Sequence, residues 1–346
     1  MTKTGGRRPT LSDIARRVGT SVPTVSKVLH GRADVSDELR SRIMAAIADT
    51  GYRRGSSEAP APSLGLPPLI DLVLSAVEGT WANRALSGVE RAAVQAGVDL
   101  VVSVARQPDD GWLARLLARN LRGAVLALVD TTPAQLATLT ASKIPFVLLD
   151  PVTQPPEGVA SVGAANWAGA RMAAEHLMAL GHTSFAVLAG KRDHLYSQAR
   201  VDGFRSALTQ HGLPARSLRI LHADWQRSRA AHLTTELLSG TEPPTAIFAC
   251  SDTMALGVYE SARALGLRIP EDLSVVGFDD LPESRWVSPA LTTIHQPIAA
   301  MGEAALRLML RMREQPGSPV QREELATTLI GGASTATPRR NGGRSR

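Results

Sequence analysis

The chain has 346 residues, too many for one ordinary domain and suited to two or three. With 44% hydrophobic and 20% charged residues it has globular composition, and its longest apolar run, Ala124–Val129, falls far short of the roughly 18 residues that span a bilayer. The single cysteine, Cys250, excludes an internal disulfide and a cysteine zinc cluster, and the polar, basic N-terminus has no apolar export core; the expectation is a cytoplasmic protein without membrane attachment.

The first 55 residues read as all-helical. Leu11, Ile14, Ala15 and Val18 recur at i, i+3, i+4, i+7, and Leu39, Ile43, Ala46 and Ile47 follow much the same period. Two short amphipathic helices between Leu11 and Leu29 are expected to flank a tight turn at Gly19, with Ser21 capping the second and Pro23 tolerated in its first turn. A third helix, from the candidate cap Ser36 to Gly51, closes a small core. Val22, Pro23, Ser26 and Lys27 then face outward, free to enter a major groove, although periodicity alone also fits a generic three-helix bundle. Charge separates the two readings. Residues 1–55 hold 11 Lys+Arg and 5 Asp+Glu, which accounts for the whole net charge of +6. A basic head on a neutral remainder implies a polyanion partner for the head.

Residues 55–68 are small, polar and proline-rich, a composition that reads as linker. Beyond it, short apolar runs alternate with amphipathic stretches. The candidate strands are Leu69–Leu74, Leu100–Val104, Gly123–Leu128, Phe146–Leu149, Phe185–Leu188, Ala246–Ala249 and Ser274–Gly277. The candidate helices include Ala85–Ala96, Asn166–Leu180, Gln198–His211, Ser228–Leu238 and Asp252–Leu265. Such alternation implies βαβ units with parallel sheets. The pattern breaks near Pro151–Gly158 and resumes, which reads as two similar α/β halves with a cleft between them. The last residues, 334–346, carry four arginines and no acid and read as a basic disordered tail.

Catalytic and metal chemistry is not legible. The eight histidines lack HExxH spacing; His176 and His182 read as a helix end and its following turn. Asp279 and Asp280 are adjacent, and on an extended chain such neighbours point opposite ways. Cys250, at a strand end, reads as a small buried residue. There is no glycine-rich phosphate loop and no nucleophile–base pair, so no cofactor, no metal and no enzymatic activity are expected. Five of the 13 aromatic residues are tryptophan, and Trp81, Trp167, Trp225 and Trp286 all fall at loops or helix starts where they would face the cleft.

Several segments, in order, resemble one family. Pro9–Ala15, Ser21–Leu29 and Val35…Tyr52 are similar to the headpiece of the lactose-repressor (LacI) family. Glu175…His182, Ser251–Gly257, Ser274–Asp280 and Pro289–Gln296 resemble markers of its body, so the likeness runs from about Thr10 to Thr335. Within the family the wording is most like regulators of xylose and xyloside operons. The resemblance implies an all-α helix-turn-helix headpiece (8–55), a hinge (56–68) and an α/β periplasmic-binding-protein-like body (69–333). That body has two Rossmann-like subdomains, an N-lobe of about 69–162 and 297–317 and a C-lobe of about 163–290 and 318–333.

It also implies roles. Val22, Pro23 and Lys27 match base-reading positions; of these only lysine offers hydrogen bonds, to guanine O6 and N7. Thr10, Ser21, Thr24, Ser26 and His30 match positions that touch phosphates, which set register without carrying sequence information. The hinge departs from the family: Gly55–Ala61 holds Pro60 and an alanine near the usual apolar wedge, a poor helix and a poor minor-groove wedge, so weaker operator bending is expected and Arg53 and Arg54 become candidate phosphate contacts. In the body, Arg200 matches a ligand-gripping arginine, Asp279 a hydroxyl-accepting carboxylate and Trp225 a stacking aromatic; Asp150 and Gln296 match cleft-lining positions, with Trp81 a further aromatic candidate. Ser251 stands where many relatives have asparagine.

The implied protein is a homodimeric repressor of a carbohydrate-utilisation operon, bound to double-stranded operator DNA and released when a sugar binds between the lobes. The rivals are a repressor that uses a purine-like corepressor, a sugar-binding protein with no regulatory DNA role, and an α/β enzyme fused to a DNA-binding head.

Overall fold

The computed structural model describes residues 10–29, 36–50, 67–106, 111–119, 121–317 and 319–339. The chain divides into two compact units, Met1–Leu66 and Pro67–Arg346.

In the first unit, α1 (Leu11–Val18), α2 (Val22–Leu29) and α3 (Asp37–Thr50) enclose a core of Ile14, Ala15, Val18, Val25, Val28, Ile43 and Ala46. The apolar period of the sequence is this core. Helix α1 starts with a capping box: Asp13 N donates to Thr10 Oγ1, and the Asp13 carboxylate accepts from Thr10 N at 2.8 Å. It ends at Gly19, whose φ of 72° is left-handed and favours a residue without Cβ. Arg42 of α3 donates to the Val18 carbonyl, satisfying a group that the helix end leaves open.

The second unit is two α/β lobes on one plan. The first lobe contains β1 (Leu69–Leu74), α4 (Thr80–Ala96), β2 (Asp99–Val104), α5 (Gly111–Ala118), β3 (Leu121–Ala127), α6 (Pro133–Ala141), β4 (Phe146–Leu149) and β5 (Ala160–Ala164). The chain then crosses to the second lobe: α7 (Asn166–Ala179), β6 (Phe185–Ala189), α8 (Leu195–Gln210), β7 (Leu218–His222), α9 (Arg227–Leu238), β8 (Ala246–Ala249), α10 (Asp252–Ala264), β9 (Ser274–Asp279) and β10 (Thr292–His295). It returns to the first lobe for α11 (Ile298–Glu314) and β11 (Arg322–Leu325), and ends in the second with β12 (Thr328–Ile330).

The strand orders are β2-β1-β3-β4-β5-β11 and β7-β6-β8-β9-β10-β12, parallel throughout except that β12 runs antiparallel to β10. Central strands are buried on both faces and read as continuous apolar runs such as Phe146–Leu149 and Ala246–Ala249. Among the described residues no helix is long and apolar enough to cross a membrane.

The all-α head and the paired α/β lobes agree with the sequence reading, and every candidate strand and helix named there is present. Short strands without a strong apolar run were not legible: β5, β7, β10, β11 and β12. Two boundaries change. A second-lobe return at 318 would include Arg322–Leu325, yet this strand pairs with Ser161–Ala164 in the first sheet. The tail is not disordered from Ser334 onward. Ser334 is fully buried and donates to the Val275 carbonyl, His182 Nε2 lies 2.9 Å from the Ala336 carbonyl, and Arg339 pairs with Asp272. His176, also read from sequence as a helix-end residue, reaches Thr335, so both histidines anchor this segment.

Candidate functional site

On the head, Ser21 caps α2, its Oγ accepting from Thr24 N and lying 2.8 Å from Thr24 Oγ1. With Val25 and Val28 turned into the core, Val22, Pro23 and Lys27 are exposed and Ser26 is half-buried on the same outward face. Two exposed apolar side chains with no place in the core suit contact with base edges better than contact with water. Thr10 is half-buried and its hydroxyl already serves the capping box, donating to Asp13 Oδ2 at 2.7 Å. His30, Arg53 and Arg54, and with them residues 56–66 of the hinge, lie outside the described residues.

In the body, Arg200 organises the cleft. It sits on α8, only 2% exposed, with its guanidinium carbon 3.7 Å from the Phe278 ring centroid. Its Nε donates to Asn166 Oδ1 at 2.8 Å, Nη1 to the Cys250 carbonyl at 2.5 Å and to Asp279 Oδ1 at 3.4 Å, and Nη2 to Gln296 Oε1 at 3.2 Å. Asn166 stands where the chain first crosses between lobes and Gln296 where it crosses back. Gln296 also donates to Asp150 Oδ2 at 3.2 Å. One guanidinium is therefore bonded to side chains of two crossover segments and, through Gln296, linked to the first lobe's carboxylate.

Asp150 follows β4 and Asp279 ends β9, the equivalent strand of the other lobe. Both have left-handed backbone, φ 50° and 112°, and both are buried. C-terminal ends of parallel strands are where open α/β sheets bind ligands. Burial raises the Asp150 carboxyl against the favourable charge of Arg200 and a bond from Gln296. Burial likewise raises Asp279 to about 7, opposed by Arg200 and reinforced by the charge of Asp150. Such a site favours a ligand with hydroxyl donors for the carboxylates and acceptors for the arginine.

An aromatic wall borders the arginine. Tyr196 and Trp225 each lie 5.8 Å, ring centroid to guanidinium carbon, from Arg200, and their own rings are 5.2 Å apart. Gly190 permits this placement, because a Cβ there would meet the Trp225 ring at 1.9 Å.

The structure thus brings together Asp150, Arg200, Trp225, Asp279 and Gln296. Ser251 is buried beside them, but its hydroxyl is the cap of α10, accepting from Met254 N at 3.2 Å. Trp81 packs against the first lobe's core at the start of α4, next to Thr80, which donates across the lobes to Glu283. Trp167, 41% exposed, lies under Arg171, and Trp286 is 77% exposed; neither joins the Arg200 cluster. The Asp279–Asp280 step is not extended, since both residues have positive φ; their carboxylates nonetheless diverge, Asp280 pairing with His295 and Arg285. Cys250 is fully buried, and its carbonyl is the group that serves the site.

Sequence reasoning passed over Asn166, His194, Tyr196 and Phe278. Tyr196 was within reach, four residues before Arg200 on one helical face. The others come from different segments and meet only in the fold.

An outward reading helix on a separate three-helix unit, followed by a two-lobed body with a polar cleft, defines a ligand-responsive DNA-binding regulator. Residues 10–55 match the family described as bacterial regulatory proteins, lacI family, and residues 174–335 match the periplasmic binding protein-like domain. The ribose operon repressor of Escherichia coli is 28% identical over 326 residues, covering 93% of this chain and 98% of its own. A LacI-family regulator from Enterococcus faecium, solved with bound ribose, superposes with a TM-score of 0.72 at 26% identity, over 78% of this chain and 99% of its own. The Lac repressor dimer bound to operator and an anti-inducer gives 0.71 at 26% identity, over 95% and 100%. Residues 10–55 thus carry the signature of bacterial regulatory proteins of the lacI family, and the chain as a whole is similar to transcriptional repressors of that family with an effector-binding body.

Proposed function

We propose that the chain is a homodimeric repressor that releases its operator when a monosaccharide, of pentose to hexose size, binds between the lobes. The observation that carries this reading is Arg200, bonded to the amides of both Asn166 and Gln296. A sugar hydroxyl that takes up Arg200 or Asp279 competes with those bonds, so occupancy and the conformation of the crossover segments are linked. Only a ligand that prefers the DNA-incompetent conformation releases the operator. Asp150, Asp279 and Gln296 are assigned to hydroxyls, Arg200 to ring or hydroxyl oxygens and Trp225 to an apolar C–H face; Trp81 and Ser251 line the cleft from either lobe. The ribose named for two relatives and the xylose-like wording of the sequence both fall in this size class.

Twofold symmetry would place two headpieces on half-sites, a reading supported by the likeness to the Lac repressor dimer bound to operator. Lys27 reads a base edge beside the apolar Val22 and Pro23, while Ser21, Thr24, Ser26, Thr10, His30, Arg53 and Arg54 are assigned to the phosphate backbone. Lys27→Ala weakens operator binding by about 1–3 kcal/mol and relaxes specificity. Equal losses on operator and scrambled DNA would demote it to a phosphate contact.

The decisive experiment is a thermal-shift screen against ribose, xylose, other pentoses, hexoses and purines, followed by electrophoretic mobility shift with each hit. A sugar that raises the melting temperature and releases DNA supports induction. A ligand that tightens DNA binding reverses the sign to corepression, and operator affinity unmoved by every metabolite removes the proposal.

A further inference from the structure

His194, just before α8, contacts both members of the aromatic wall through one atom. The Trp225 indole Nε1 donates to His194 Nδ1 at 3.1 Å, and the Tyr196 hydroxyl lies 2.8 Å from the same nitrogen. An indole N–H can only donate, so His194 Nδ1 carries no proton. It follows that the Tyr196 hydroxyl donates to it as well, and that the ring is the neutral Nε2–H tautomer. The three rings pack as a unit, with centroids 5.3 Å apart for His194–Tyr196, 6.1 Å for His194–Trp225 and 5.2 Å for Tyr196–Trp225.

We propose that His194 is the positioning residue of the effector cleft: its neutral imidazole, as shared acceptor, holds Trp225 and Tyr196 in place, and its protonation releases the wall.

Three features make this bond a switch rather than one contact among many. Trp225 and the preceding Asp224 both have left-handed backbone, φ 67° and 52°, a conformation unfavourable for residues with a Cβ, which persists only where surrounding contacts enforce it. Imidazolium replaces the acceptor with a donor at Nδ1. Tyr196 can rotate its hydroxyl and accept, but Trp225 cannot, so its bond is lost and two N–H groups oppose each other. Finally, Leu195, between His194 and Tyr196, donates its N–H to the Val152 carbonyl of the first lobe at 2.7 Å, placing the wall at the junction of the lobes.

The charged groups around the ring do not act in one direction. Burial lowers the His194 pKa and the charge of Lys191 lowers it further, against Asp193, Asp130 and Asp224, which raise it. Tyr196 in turn faces Asp150, Asp279, Asp130 and Arg200, while Asp224 is paired with Arg229. Neutral His194, and with it the assembled wall, is therefore the state at neutral pH, and the wall comes apart in acid.

The proposal rests on the cleft as effector site, but its test needs no effector. The Trp225 contribution, taken as the parent minus Trp225→Phe difference in near-UV circular dichroism and in acrylamide quenching, is followed from pH 8 to pH 5 in the unliganded dimer. The parent is expected to show one transition below pH 6.5, with quenching of Trp225 rising about twofold or more. His194→Asn offers an acceptor near the Nδ1 position that does not titrate, and keeps the neutral-pH signal throughout. His194→Ala gives the acid signal at every pH. A flat parent profile, or a His194→Asn variant that titrates like the parent, overturns the proposal. Ribose titration adds a separate arm: a loss of affinity between pH 8 and pH 5 about tenfold larger in the parent than in His194→Asn, beyond the loss both share through Asp279, supports it, and equal weakening in both counts against it. If ribose binds neither protein, the spectral arm decides, and only the ligand assignment fails.

Discussion

Strand for strand, the two lobes follow one plan, with β1–β5 and β6–β10 in equivalent places and Asp150 and Asp279 at the ends of equivalent strands. Their shares of the cleft are unequal. The second lobe supplies Arg200, its Phe278 platform, the Cys250 carbonyl and the aromatic wall; the first supplies Asp150. A repeated scaffold provides two symmetric strand ends, but the buried guanidinium bonded to Asp279 and, through Gln296, linked to Asp150 comes from one half. Under the proposed function, the second lobe recognises the ligand and the first reads its presence through Gln296 and Asp150.

Arg200→Ala should disturb that asymmetry most. It leaves Asp150 and Asp279 buried without their cation and frees both crossover amides. Unfolding free energy should fall by about 3–5 kcal/mol in urea titration, as when one partner of a buried pair is removed, and calorimetry should detect no sugar binding. Unchanged stability would mean that the carboxylates do not depend on this arginine.

The two aspartates probe the lobes one at a time. Asp279, in direct contact with Arg200, should lose about 1.5–3 kcal/mol of ligand affinity on replacement by asparagine, and Asp150→Asn less. Their pH behaviour follows from burial. A carboxyl raised in the folded state stabilises the fold below its unfolded value, about 3.9, and that contribution is lost as pH rises through the folded value, about 7 for Asp279. The unliganded body should therefore weaken between these limits, and Asp279→Asn should flatten the loss. Sugar hydroxyls prefer the ionised carboxylate, so affinity should rise with pH over the same range, with proton release visible by calorimetry in buffers of different ionisation enthalpy.

A smaller effect comes from the backbone beneath the wall. Gly190→Ala inserts a Cβ 1.9 Å from the Trp225 ring and should cost about 1–3 kcal/mol of stability while shifting Trp225 fluorescence. The first lobe offers a control in Gly163, where a Cβ would meet nothing nearer than Asp150 Oδ1 at 3.8 Å and alanine should be nearly silent.

The three head helices, the turn at Gly19, the cap at Ser21 and the outward face follow from sequence alone, because they depend on a 3.6-residue period and a few neighbouring residues; the capping box at Thr10 is not among these readings. So do the central strands, whose burial on both faces leaves continuous apolar runs. Arg200, Trp225, Asp279, Asp150 and Gln296 were legible through family motifs, each a local stretch of text. The remainder required the three-dimensional fold. Strand β11 joins the first sheet because pairing, not composition, places a polar edge strand. Ser334–Arg339 is held by partners 42 residues away or more. Asn166, His194, Tyr196 and Phe278 belong to the cleft because separate segments converge on one guanidinium and one indole. Local sequence encodes which residues can be helix, strand or cap; which polar atoms meet depends on chain crossings that no short window contains.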